Sequence, residues 1–130
     1  MTTRKERIEV IDRLIGLGFS YDESETLRRI AMTFSRWDEA ECNGEIQRDE
    51  STGIPYRYVN PGMSERRYRI PDRENGAYKR LNRIMKEHRD LWAYRQGDPG
   101  GASLYIGRID QMPEGYKVEN CYSSFGVAVY

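Results

Sequence analysis

Residues 20–44, SYDESETLRRIAMTFSRWDEAECNG, decide the fold class. Leu27, Ile30, Phe34 and Trp37, with Glu41 continuing the line, recur at three- and four-residue spacing and so share one face of an α-helix. Ser20 or Asp22 supplies the N-cap oxygen, and Glu23 and Glu25 occupy the first turn, where the helix dipole favours carboxylates. Asn43-Gly44 is a helix stop. Beyond it the period changes to two. Glu45-Ile46-Gln47-Arg48 and Tyr56-Arg57-Tyr58-Val59 flank Asp49-Glu50-Ser51-Thr52-Gly53, a turn-rich stretch that predicts a β-hairpin. A helix running straight into a hairpin indicates an α+β chain.

Working outward, Ile8, Ile11, Leu14 and Ile15 predict a short amphipathic helix over 4–17, stopped by Gly16 and Gly18, with Phe19 turned into the core. Residues 1–42 therefore form a helical hairpin and 43–60 a β-hairpin closed by Asn60-Pro61-Gly62. An arginine-rich loop over 61–70 leads to a third helix over 71–89. Asp72 is its cap or first-turn acid, and Ala77, Leu81, Ile84, Met85 and His88 form its apolar stripe. Residues 90–130 predict strands: 91–96 and 102–106 around Gly97-Asp98-Pro99-Gly100-Gly101, then 116–122 and 125–130 joined near Ser123-Ser124. The expected architecture is one domain over 1–130, with three helices on one face of a mostly antiparallel sheet, in the order ααββαβββ(β).

A chain of 130 residues buries roughly two-thirds of its unfolded surface, enough for a single core. Aromatic content of 12% argues against disorder, and charged content of 32% predicts a heavily charged surface. No apolar run reaches the core length of a signal peptide or a membrane span, so a cytoplasmic location without membrane contact is expected. Cys42 and Cys121 lack the paired spacing of zinc ligands, and reduced thiols are the expectation. His88 is the only histidine, at the end of a helical stripe where a cation meets the dipole. Neither Gly16-Leu17-Gly18 nor the 97–101 turn has the context of a phosphate loop. No metal, cofactor or catalytic residue is predicted.

The zero net charge conceals segregation. Residues 21–50 carry four basic and nine acidic side chains, a balance of −5, whereas 51–96 carry eleven and five, a balance of +6. Arginine outnumbers lysine 17 to 4, which suits planar, bidentate and stacked contacts. Two surfaces follow. Tyr56, Arg57 and Tyr58, then Arg66, Arg67, Tyr68 and Arg69, interleave cations with rings, offering charge to phosphates and faces to bases. Arg73, Lys79, Arg83 and Lys86 extend the positive field. The acidic counterpart is Asp38, Glu39, Glu41 and Glu45: a surface for a partner, or a set of mates for the protein's own arginines. Direct nucleic-acid binding requires the cations of 55–86 to be exposed together and not consumed by the acids of 21–50. Strand alternation sends either the ring or the cation outward at 56–58, so Tyr68 is the best candidate for a stacking ring beside Arg57.

Several stretches resemble a family of small phage, prophage and plasmid proteins of Gram-negative bacteria. They are Leu27-Arg28-Arg29-Ile30-Ala31-Met32-Thr33 with Arg36-Trp37 and Glu41-Cys42, Tyr68-Arg69-Ile70-Pro71-Asp72-Arg73-Glu74, Ala93-Tyr94-Arg95-Gln96-Gly97-Asp98-Pro99 with Leu104-Tyr105-Ile106, and 122–130. The family carries no assigned activity, so the resemblance transfers no catalytic residue. It implies a mobile-element setting in a bacterial host cell, where small accessory proteins act by binding. The leading expectation is a non-enzymatic, counter-defence inhibitor of the anti-CRISPR kind that occludes a host protein or nucleoprotein complex. The alternative is a protein that binds single-stranded nucleic acid or a nucleotide through the Arg/Tyr patch. An enzyme built on carboxylates and arginines stands behind both, and a homodimer is left open.

Overall fold

The computed structural model describes residues 4–58, 67–96, 103–111 and 127–129. The element order is α1 (Arg4–Leu17), α2 (Tyr21–Cys42), β1 (Gln47–Arg48), β2 (Pro55–Tyr58), β3 (Arg67–Arg69), α3 (Arg73–Lys86), β4 (Leu91–Arg95), β5 (Leu104–Arg108) and β6 (Val127–Val129). The chain is α+β.

Both leading helices end on the same device. The Gly18 N–H donates to Ile15 O and the Phe19 N–H to Leu14 O, at 3.0 and 3.3 Å. Gly18 sits at φ +116°, a conformation glycine adopts without a Cβ penalty. Gly44, at φ +74°, repeats the pattern after α2, with the Glu45 N–H donating to Ala40 O at 2.9 Å. Gly16 stays inside α1. Ser20 is the N-cap of α2, and its hydroxyl and backbone N–H exchange hydrogen bonds with Glu23 at 3.1 and 2.9 Å. Asp72 caps α3 by accepting from the Asn75 N–H at 3.0 Å.

The core joins Leu14, Leu17 and Phe19, the α2 stripe of Leu27, Ile30, Ala31 and Phe34, then Ala77 and Leu81 of α3 with Leu91, Leu104 and Ile106 of the strands. Trp37 and Trp92 are also buried, the anchors their positions suggest. α2 lies between α1 and α3, while α3 packs on β4 and α1 on β6.

The strands differ from expectation in two ways. They form two three-stranded sheets, β1-β2-β3 and β4-β5-β6, in place of one. The apolar strands carry the main core. The short, charged first sheet is tied to α2 and α3 by the ion pairs of Arg48, and Ile46, just before β1, is buried. In addition, β3 arises inside the predicted loop, because pairing with β2 satisfies its backbone where no apolar alternation announced a strand. β6 runs parallel to β5, whereas β4 and β5 are antiparallel. The strand predicted over 116–122, the turn at 97–101, Arg66 and Cys121 lie outside the described residues.

Candidate functional site

The acidic end of α2 is turned to internal use. Asp38 pairs with Arg95, Arg95 reaches Glu74 Oε2 at 2.9 Å, Glu74 Oε1 meets Arg48 at 3.0 Å, and Arg48 meets Glu41 at 3.2 Å. Asp38 and Glu41 are three residues apart on α2, so the chain of charges closes on itself through α2, β4, α3 and β1. The Arg95 guanidinium also lies 4.4 Å from the Phe34 ring and donates to Tyr78 Oη at 3.1 Å. Burial works to lower its pKa, but the Tyr78 and Glu74 contacts outweigh that and hold it above the ordinary arginine value. Glu41 accepts in addition from Trp37 Nε1 at 2.7 Å. Asp38 therefore leaves the predicted acidic surface, drawn inward by Arg95, and Glu41 is engaged. Glu39 and Glu45 are exposed.

The Arg/Tyr segment divides between two faces of the first sheet. The register sets Arg57 opposite Tyr68, Tyr56 opposite Arg69 and Tyr58 opposite Arg67. Side chains alternate along a strand, so Arg57 and Tyr68 share one face while Tyr56, Arg67 and Arg69 belong to the other. On that second face the Arg67 guanidinium lies 4.6 Å from the Tyr56 ring centroid and pairs with Asp49 at 3.2 Å. Tyr56 Oη donates to Gln47 at 3.1 Å. Asp49 also accepts from the Ser51 hydroxyl and the Ser51 and Thr52 N–H groups, which with Arg67 hold its carboxyl down at about 2.

The first face is open. Arg57 and Tyr68 are exposed, Tyr68 at 55%. They border a cleft of about 550 Å³ between this sheet, the C-terminal half of α2 and the start of α3. Arg36 and Trp37 of α2, Ile46, Ile70, Pro71 and Arg73 complete most of its lining, and among the described residues no carboxylate contributes to it. Arg36, Arg57 and Arg73 form no ion pair among the described residues. From Arg73 the positive surface continues along α3. Lys79, Arg80, Arg83 and Lys86 are exposed, and no acidic residue occurs between Asn75 and Lys86. The seven-residue step from Arg73 to Arg80 returns to one side of the helix, and Arg80 folds back over Gly76, where an added Cβ would stand 3.6 Å from its guanidinium.

Of the predicted binding residues, the structure brings Arg57, Tyr68 and Arg73 to one cleft and puts Lys79, Arg83 and Lys86 on the adjoining helix. Tyr56, Arg67 and Arg69 lie on the other face, Tyr58 ends β2, and Arg66 is outside the described residues. Arg36 was not foreseen. Its signal is its place beside Trp37, on the flank of an apolar stripe. Arg48, Glu74 and Arg95 were also missed. Arg95 follows Leu91 and Ala93 at period two, a cation on the core-facing side of a strand that demands a buried carboxylate.

His88 packs on Phe19 with ring centroids 4.5 Å apart, and its Nε2 lies 3.0 Å from Glu23 Oε2. It joins the end of α3 to the start of α2. Cys42 is an exposed free thiol. Among the described residues no group of three or more His, Cys, Asp or Glu side chains is placed to hold a metal ion, and no helix is long and apolar enough to cross a membrane.

Comparison with protein-family models, curated proteins and solved structures gives no match to this chain.

Proposed function

We propose that this chain is a binding protein, not an enzyme, and that it holds single-stranded nucleic acid, free or displayed by a host nucleoprotein complex. In the mobile-element setting suggested by the resemblance, such binding is an accessory, counter-defence act: occupying the strand blocks the machinery that needs it. One observation carries the reading. The acids of 21–50 pair chiefly with Arg48, Arg95 and near neighbours, while Arg57, Arg73, Lys79, Arg83 and Lys86 remain exposed beside Tyr68. Arg67, paired with Asp49, is the exception.

An exposed ring favours a single strand over a duplex, because only unstacked bases offer a face to it. Zero net charge argues against a dedicated non-specific DNA binder, whose affinity would be largely electrostatic. An acidic surface for a host protein is less well supported, with Asp38 and Glu41 engaged internally.

The test is fluorescence anisotropy with labelled single-stranded DNA and RNA oligonucleotides and a duplex control across a salt series. Single strands should bind more tightly than the duplex. Log affinity should fall with log salt by roughly 0.7 per phosphate contact, and Lys79→Ala/Arg83→Ala/Lys86→Ala should flatten that slope. Equal or absent binding of all three nucleic acids, or a slope unmoved by the triple change, overturns the proposal.

A further inference from the structure

The cleft between α2 and the first sheet differs from the rest of the cationic surface. Arg36, Arg57 and Arg73 reach it from three elements, α2, β2 and α3. Three guanidiniums with no ion pair among the described residues, gathered around one space, repel each other, and each costs less when an anion lies between them. Three of the acids close in sequence are already engaged. Glu41 is held by Trp37 and Arg48, Glu74 by Arg48 and Arg95, and Asp72 by the Asn75 N–H at the cap of α3. Among the described residues no acid pairs with Arg36, Arg57 or Arg73, which leaves the place for an anion from outside.

The remaining lining is apolar and aromatic. Trp37, Ile46, Ile70 and Pro71 give a hydrophobic wall, and Tyr68 presents a ring on the same sheet face as Arg57. Trp37 is 5% exposed and its indole N–H is already spent on Glu41, so it offers the cleft only apolar surface. A volume of about 550 Å³ lies within the range of small-molecule sites. The occupant is thus bipartite, with a compact polyanionic end for the forked donors of arginine and a flat apolar end for the ring.

We infer that this cleft is a nucleotide site, in which Arg36, Arg57 and Arg73 hold the phosphate and Tyr68 stacks on the base. The inference deepens the proposed function and rests on it for the source of the ligand: the nucleotide is one unit of the bound strand. A free nucleotide shares the same chemistry and is the other source.

The experiment uses the full chain, titrated with adenosine 5′-monophosphate, adenosine and inorganic phosphate, followed by backbone and indole amide NMR shifts. The monophosphate should move the signals of Trp37, Arg57, Tyr68 and Arg73, and bind at least roughly tenfold more tightly than adenosine or phosphate alone. Tyr68→Ala and Arg57→Gln should each weaken it by roughly tenfold while leaving the thermal midpoint near that of the parent. Lys79→Ala/Arg83→Ala/Lys86→Ala should leave monophosphate binding intact while weakening an oligonucleotide.

The outcomes separate the two claims. If an oligonucleotide binds but the monophosphate moves none of these signals up to roughly 10 mM, or Tyr68→Ala and Arg57→Gln leave both affinities unchanged, the cleft inference is overturned and the proposed function stands. If the monophosphate binds at the cleft and no oligonucleotide does, the nucleotide site stands as a site for a free nucleotide and the proposed function falls.

Discussion

Arg57 of β2 lies directly opposite Tyr68 of β3 in the antiparallel register, and both side chains are exposed. A cation and a ring on neighbouring strands of one face form the smallest unit that contacts a phosphate and a base together. On the other face, the Arg67–Tyr56 pairing is intramolecular, with the guanidinium over the ring and tied to Asp49.

This contrast predicts that position within the sheet matters more than charge. Arg57→Glu and Arg73→Glu should each reduce oligonucleotide affinity several-fold more than Arg69→Glu, although all three remove one exposed arginine. Urea denaturation should place the variants within about 0.5 kcal/mol of the parent, as expected of exposed sites. Equal losses at the three positions would show a diffuse charge effect.

Arg95 should behave as a structural hub. Its side chain is 12% exposed, pairs with Asp38 and Glu74, and covers the Phe34 ring. Removing one partner strands the others in partly desolvated surroundings. Arg95→Ala should therefore cost about 3 kcal/mol or more in urea denaturation. Arg29→Ala, at an exposed site with a loose pair to Glu25 at 3.9 Å, should cost less than about 0.5 kcal/mol.

Glu23 gives the acid limb of the stability profile. Burial acts to raise its pKa, but the Ser20 backbone N–H and then His88 prevail and hold it below its ordinary value of 4.5. A carboxyl depressed on folding stabilises the native state in full above its unfolded pKa, and that contribution fades as the pH falls through the folded pKa. Glu23→Gln should therefore lessen the loss of stability as the pH falls below about 4.5 relative to the parent. Parallel pH profiles for the two proteins would remove Glu23 from the acid response.

Asp49 is the turn's organiser, so Asp49→Ala should release the 49–53 turn and the Arg67 contact without unfolding the main core. Hydrogen exchange should rise at Ser51, Thr52 and Gly53, whose N–H groups donate to Asp49, and stay unchanged in α2. By NMR the Asp49 carboxyl should titrate near 2, so the turn should persist well below pH 4.

The last strand is part of the fold. Val129 pairs in register with Ile106 and packs against the main core. Val129→Asp places a charge there and should destabilise by about 2 kcal/mol or more. Deletion of residues 125–130 should abolish the cooperative thermal transition.

The helices were legible because each carries its own signals within a few residues: the Leu27–Ile30–Phe34–Trp37 stripe, the Ser20 cap with Glu23 and the glycines at 18 and 44. The β4–β5 pair was legible for the same reason. β3 was not, because Arg67-Tyr68-Arg69 has no apolar alternation and becomes a strand only when β2 offers it hydrogen bonds. Tyr68 could be singled out as the ring beside Arg57 by alternation alone. Arg36 could not, since it joins the cleft from a helix about twenty residues away by sequence.

By itself the sequence determined the α+β class, the segregation of acid from base and the identity of the interleaved arginines and tyrosines, because these depend on local periodicity and composition. Only the tertiary structure decided which charges cancel. Asp38 and Glu41 meet Arg95 and Arg48 through pairings that cross four elements, and those encounters leave Arg36, Arg57 and Arg73 facing one cleft with no carboxylate among the described residues that line it. Charge falls off over ångströms in space, not over residues along the chain, so its balance is settled where the helices and sheets come to rest.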